Sequence, residues 1–189
     1  MIRKFLQFTL FASQWLLVFA AIAADHAQEH EQHGTHVHGE ATLLVAIDGN
    51  TVELEFSSPA MNIVGFEHRP ESDEQVRAVA QAITLLGDAD GLFVMPAEAG
   101  CKLLASDVES SLADQAHSDH DDHQASEAEQ HSDFAAHYRI ECAAVKKLNA
   151  LKLNHFELFK GMDVIEAQVY SGRGQSKVDL TAEHASLEF

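Results

Sequence analysis

Between residues 110 and 133 the chain is almost wholly Asp, His, Ser, Gln, Glu and Ala, and its only two cysteines, Cys101 and Cys142, stand on either side of this tract. Such a composition cannot bury enough apolar surface to offset the entropy of ordering it, so it predicts a long disordered loop. The fold must leave the tract outside the core and bring its flanks together at its base. β patterning returns on both sides, at Cys101 to Val108 and at Phe134 to Cys142, where Phe134, Ala136, Tyr138 and Ile140 share one face. The expectation is two strands paired beside a Cys101–Cys142 disulfide. An even cysteine count in an exported chain favours that bridge, and closing a loop of about forty residues contributes roughly 4 kcal/mol on the chain-entropy model. A two-thiolate metal site is the weaker alternative, because this spacing is nothing like a short Cys-x-x-Cys knuckle.

Export is read from the first residues. Arg3 and Lys4 precede an apolar run from Phe5 to Phe19, and Ala21, Ile22 and Ala23 form a small-residue cleavage site, so residues 1–23 are expected to be a signal peptide. The run is too short to span a bilayer comfortably, and a soluble periplasmic product is expected, with no stable membrane insertion. Thirty acidic residues against twelve basic ones give a net charge of −18. Such a surface repels nucleic acid and anionic lipid and concentrates cations.

Residues 24–35 are polar and histidine-rich without an apolar period, which reads as a flexible arm. Residues 36–189 are expected to be one domain. Leu43, Val45 and Ile47 alternate with polar or small residues, Asp48-Gly49-Asn50 supplies a turn, and Val52, Leu54 and Phe56 resume the alternation, which is the pattern of a β-hairpin with one buried face. Ser57-Ser58-Pro59 closes the second strand, and Ala60 to Phe66 reads as an irregular loop or short helical turn. Ser72 followed by Gln75 is a capping box, and Val76, Val79, Ile83 and Leu86 recur at helical spacing before Gly87. The lysines and leucines after Cys142, up to Leu153, suggest a short helix; Phe156 and Phe159 look like core anchors. Val164 to Tyr170 and Ser176 to Leu180 read as a closing hairpin around Ser171-Gly172-Arg173-Gly174. The predicted fold class is α+β: an antiparallel sheet of two or more hairpins, one or two packed helices, and the long disordered His/Asp-rich loop over 110–133.

Nine of the thirteen histidines fall into two clusters, His26, His30, His33, His36 and His38, then His117, His120, His123 and His131. Imidazole is the commonest metal-binding side chain, so divalent metal ions are the expected partners and zinc the first candidate. His36 and His38, two apart on an expected strand, would leave one face together with Glu40, a preformed pair of nitrogen ligands; His33, His68 or His137 could complete a three-ligand site. The second cluster alternates with acids, Asp119 and Asp121 among them, and in a flexible loop it could wrap several ions with modest affinity. His155 and His184 read as ordinary surface or boundary residues. His137 shares the polar face of its strand with Arg139 and Glu141.

Enzyme signatures are poor. His30-Glu31-Gln32-His33 has the wrong spacing for a metalloprotease helix, no Gly-x-Ser-x-Gly occurs, and Asp88-Ala89-Asp90-Gly91 is too short for a calcium loop. A zinc hydrolase would need an open coordination position, a water and a general base, for which only Glu40 or Glu67 can be imagined.

At Ser58-Pro59-Ala60-Met61-Asn62-Ile63-Val64-Gly65-Phe66-Glu67-His68 the sequence resembles the signature of the ZrgA-type periplasmic zinc-binding proteins. The His36-x-His38-Gly39-Glu40 opening, the cysteines flanking an acidic histidine-rich loop, Phe156-Glu157-Leu158-Phe159 and Ile165-Glu166-Ala167-Gln168-Val169 are similar in type and order, so the resemblance covers essentially the whole mature chain. It implies a periplasmic protein that binds zinc and assists its uptake alongside an inner-membrane metal transporter, and it adds weight to His68 as a ligand or as a structural partner of the hairpin. One departure is Lys160-Gly161, where relatives are expected to carry Pro-Gly; it is expected to touch the fold locally and leave the metal site alone. The leading expectation is non-catalytic zinc capture, with a copper or nickel buffer and a transporter-docking module as alternatives.

Overall fold

The computed structural model describes residues 37–115 and 132–189. Strands β1 (Glu40–Asp48) and β2 (Thr51–Pro59) form the expected hairpin, with Val45 opposite Leu54 and Leu43 opposite Phe56. Alternation makes the hairpin one-sided: Leu43, Val45, Val52, Leu54 and Phe56 are buried while Thr42, Glu53 and Glu55 face solvent. Helix α1 (Ala60–Val64) follows Pro59 directly and stops at Gly65, whose φ of +83° is the left-handed C-terminal cap that a side chain would resist. Helix α2 (Asp73–Gly87) starts at Ser72, whose hydroxyl accepts from the Gln75 N–H. It buries Val79, Ala82 and Leu86, but Val76 is exposed, so the buried stripe is narrower than the apolar period predicted.

After α3 (Ala89–Leu92) and the two-residue β3 (Phe93–Val94) come β4 (Cys101–Ser110), α4 (Ser111–Gln115) and β5 (Asp133–Cys142). As expected, β4 and β5 are antiparallel, with Cys101 directly opposite Cys142 and joined to it in a disulfide spanning 41 residues of sequence. Only β5 shows clean alternation; β4 is an edge strand with a bulge between Leu103 and Ala105, which breaks the pairing ladder that an open edge would otherwise offer. The chain ends with β6 (Ala150–Leu153), α5 (His155–Leu158), β7 (Val164–Ser171), β8 (Gly174–Leu180) and β9 (Ser186–Glu188).

The six-stranded sheet runs β4-β5-β2-β1-β7-β8, and β3-β6-β9 form a second sheet. Two expectations are corrected. The β1–β7 seam is parallel, with Ala41 beside Ile165 and Val45 beside Val169. Alternation reports which face a strand buries, not which neighbour it takes, and a parallel partner must return through a long crossover that local patterning does not reveal. The lysine–leucine segment is a single 3-10 turn at Val145–Lys147 followed by strand β6, not a helix, because Leu151 and Leu153 bury alternate side chains between β3 and β9. The inner face of the large sheet, the α2 stripe and Leu151, Leu153 and Leu187 of the small sheet belong to one continuous core, with Phe156, Phe159 and Met162 packed in. Tyr138 reaches across it from β5 to donate to the Leu86 carbonyl at 2.6 Å.

Candidate metal centre

His26, His30, His33, His36, His117, His120, His123, His131, Asp119 and Asp121 lie outside the described residues. Of the expected donors, His38, Glu40, His68 and His137 remain.

His38 is not on a strand. It sits in a tight turn closed by the Glu40 N–H donating to the Val37 carbonyl at 3.0 Å, with Gly39 at φ +89°, and β1 begins only at Glu40. A positive φ at the third position of a four-residue turn is what glycine permits and other residues resist. The expected strand placement of His38 is therefore corrected, His36 lying outside the described residues: the turn carries the His38 side chain to the segment after α1. There its Nε2 meets Glu67 Oε1 at 3.1 Å. An ionised carboxylate only accepts, so Nε2 holds the proton in this pair. Two donors bound to one tetrahedral zinc at about 2.0–2.1 Å stand about 3.3–3.4 Å apart. The His38–Glu67 spacing is close to that edge and is equally the length of an ordinary hydrogen bond. The His38 side chain is 54% exposed and Glu67 14%, so the imidazole is open to solvent while the carboxylate is sheltered.

Glu67 reaches this position because Gly65 ends α1 after barely more than one turn and Phe66, 9% exposed, pins the following residues to the core. His68 comes next. Its Nδ1 lies 2.8 Å from the Arg69 carbonyl, which can only accept, so the Nδ1 carries the proton and the lone pair of the neutral ring sits on Nε2. A backbone carbonyl that fixes the tautomer in this way is the usual support of a ligating histidine. The ring also packs on Phe66 with centroids 5.2 Å apart. Glu40 opens β1 with an exposed side chain that has no hydrogen bond or ion pair among the described residues.

His137 is elsewhere, on the solvent face of β5, opposite Glu55 of β2 and Asp107 of β4. Its Nδ1 is 3.9 Å from Glu55 Oε1, and both side chains are about half exposed. The next pair along the same face, Arg139 and Glu53, is an ion pair at 2.9 Å. The fold thus separates His137 from the His38 turn. Among the described residues no three His, Cys, Asp or Glu side chains converge on one point. Both cysteines are in the disulfide, which removes thiolate from the donor set.

His155 is a correction of another kind. Expected near the surface, it is fully buried, ringed by Phe56 at 4.7 Å, Phe93 at 5.0 Å and Phe159 at 6.5 Å, and neither ring nitrogen has a hydrogen-bond partner. Burial pushes its pKa down to about 3, so it is a neutral packing residue at ordinary pH. Sequence patterning offers Glu67 only as an imaginable general base, although it lies inside the motif carrying the resemblance and next to His68; its approach to His38 makes it a candidate donor. His184 is exposed, as expected.

Among the described residues no helix is long and apolar enough to cross a membrane. No curated protein sequence matches the chain. The family model described as ZrgA family zinc uptake protein matches residues 35–189, a span that takes in the His38 turn, Glu67, His68, both cysteines and the tract between them. The chain belongs to this family of zinc uptake proteins.

Proposed function

From membership of a zinc uptake family, we propose that this protein is an exported, soluble, non-catalytic zinc carrier. It captures the ion on its histidine-rich segments, holds it at a tighter site built on His38 and Glu67, and delivers it to an inner-membrane transporter. The observation carrying this reading is the 3.1 Å approach of His38 Nε2 to Glu67 Oε1, near the donor spacing of a tetrahedral zinc and two residues downstream of a further imidazole, His36. His68, with its Nε2 lone pair freed, is the next donor along the same segment. The remaining ligands come from His36 and the histidine arm over 24–35, and His117, His120, His123 and His131, with Asp119 and Asp121, make up the weaker class of sites. His137 beside Glu55 is a surface landing point of the weaker class. In this reading Glu67 is a ligand rather than the general base of a hydrolase, since it already faces an imidazole.

Imidazole and carboxylate donors without thiolate also accept copper and nickel, and intrinsic affinities place copper above zinc. The preference for zinc here rests on the family, and elemental analysis of protein taken from its native compartment tests it.

The functional test is a zinc titration of the mature protein by calorimetry against a competing chelator, where more than one ion and at least two affinity classes are expected. Replacing His36→Ala with His38→Ala weakens the tight class; deleting residues 114–130 lowers the number of ions bound and leaves the tight class in place. Absence of any micromolar binding to wild type defeats the proposal. Tight binding that vanishes with the loop and survives the double alanine variant means the two clusters are assigned the wrong way round.

A further inference from the structure

We propose that Asn62 is a positioning residue for zinc: its side-chain amide ties the turn that bears His38 to the short segment that bears Glu67, and thereby sets the affinity of the tight site. The inference rests on the reading of His38 and Glu67 as ligands.

Asn62 lies on α1 and is 2% exposed. Three of its amide's four hydrogen-bonding positions are used, both N–H donors among them. Oδ1 accepts from the Gly39 N–H at 2.7 Å, and Nδ2 donates to the Glu40 carbonyl at 2.8 Å and to Ser58 Oγ at 3.1 Å. The network fixes the amide's orientation, because the flipped form would set NH2 against the Gly39 N–H and oxygen against the Glu40 carbonyl. The Gly39 N–H belongs to the peptide that joins it to His38, so Asn62 grips the backbone that carries the imidazole. On the other side, the Gly39 carbonyl accepts from the N–H groups of Asp163 at 2.8 Å and Val164 at 2.9 Å. The turn is therefore held from two directions. A Cβ at residue 39 would meet Asp163 Oδ2 at 2.7 Å and force that side chain to shift, and the φ of +89° disfavours a side chain there in any case.

The clamp also has a back wall. A Cβ at Gly161 would stand 2.8 Å from the Asn62 carbonyl oxygen and 3.0 Å from its Cα, so the segment after α5 presses directly on the backbone of the clamping residue. The Lys160-Gly161 departure is expected to touch the fold locally and leave the metal site alone; the packing makes position 161 a neighbour of the residue that holds the His38 turn. Glu67 follows Asn62 five residues later on the same piece of chain, anchored by Gly65 and Phe66. One side chain thus links the two ligand-bearing segments directly. Ligands already held at their bound separation lose less freedom when the ion arrives, and the binding constant rises accordingly.

A double-mutant cycle in the full mature chain separates positioning from general structural support. Zinc affinity of the tight class is measured by chelator competition for wild type, Asn62→Ala, His38→Ala and the double variant. The expected result is a loss of at least tenfold on Asn62→Ala in the wild-type background and a change under twofold once His38 is already alanine. Gly161→Ala keeps the amide but pushes on the Asn62 backbone; it is expected to lower affinity in the same His38-dependent way, and its cycle decides the matter if Asn62→Ala does not fold. An equal loss with and without His38 overturns the proposal, as does Asn62→Ala or Gly161→Ala binding within twofold of wild type while His38→Ala binds weakly. If His38→Ala binds as tightly as wild type, the ligand reading itself fails and the proposal falls with it.

Discussion

His155→Leu is expected to make the protein resistant to mild acid. The imidazole is fully buried among Phe56, Phe93 and Phe159 with neither nitrogen hydrogen-bonded, and burial holds its pKa at about 3 against an ordinary value of 6.5. The folded value is the lower one, so between pH 6.5 and 3 the unfolded chain binds a proton that the native protein refuses. Stability contributed by this group is complete above pH 6.5 and is lost as pH falls towards 3, at about 1.4 kcal/mol per pH unit. At pH 5.0 the loss amounts to about 2 kcal/mol, and near pH 3 it approaches 5 kcal/mol. Leucine is similar in volume, does not titrate, and removes two unsatisfied nitrogens whose burial costs on the order of 1–3 kcal/mol apiece. Urea unfolding followed by circular dichroism, in chelator at pH 7.5 and 5.0, isolates the effect. Other titrating groups cancel in the comparison of variant with wild type. Wild type should lose about 2 kcal/mol more than His155→Leu between the two pH values, a midpoint difference of about 1 M for a chain of this size. If the two proteins lose the same stability within about 0.5 kcal/mol, the imidazole is protonated, solvated or hydrogen-bonded in the native state and the argument is wrong.

Zinc affinity should fall steeply as pH drops below about 6.5, because ligating imidazoles must be neutral; a competition assay that finds affinity constant from pH 7.5 to 5.5 would point to carboxylate ligands alone. Thiol titration of the denatured, unreduced protein should find no free thiol, and replacing Cys101 and Cys142 together by alanine should cost roughly 4 kcal/mol in urea unfolding, less any native strain relieved. Tyr138→Phe removes the 2.6 Å bond to the Leu86 carbonyl and leaves a buried acceptor unsatisfied, so a loss of about 1–2 kcal/mol is expected with zinc affinity unchanged.

Much of the fold was legible because its determinants are local. Period-two alternation marked β1, β2, β5, β7 and β8, the Ser72–Gln75 capping box opened α2 at the right residue, and the cysteines on either side of the polar tract predicted a pair that the register then set face to face. Of the candidate site, the sequence makes the residue types legible, in the motif from Ser58 to His68 and in the opening around His36 and His38. Four things were decided only by the tertiary structure. The direction of the β1–β7 seam depends on where a distant strand arrives, and no residue in either strand encodes it locally. β6 is a strand because β3 and β9 are there to pair with it. His155 is buried because three phenylalanines from separate segments close around it, which a histidine between Asn154 and Phe156 does not announce. The pairing of His38 with Glu67 arises from one glycine turn and one asparagine amide that bring residues 29 apart in sequence to 3.1 Å. Residue types and their periods determine which side chains can ligate and which faces are buried; which ligands meet is a long-range closure, and only the packed backbone supplies it.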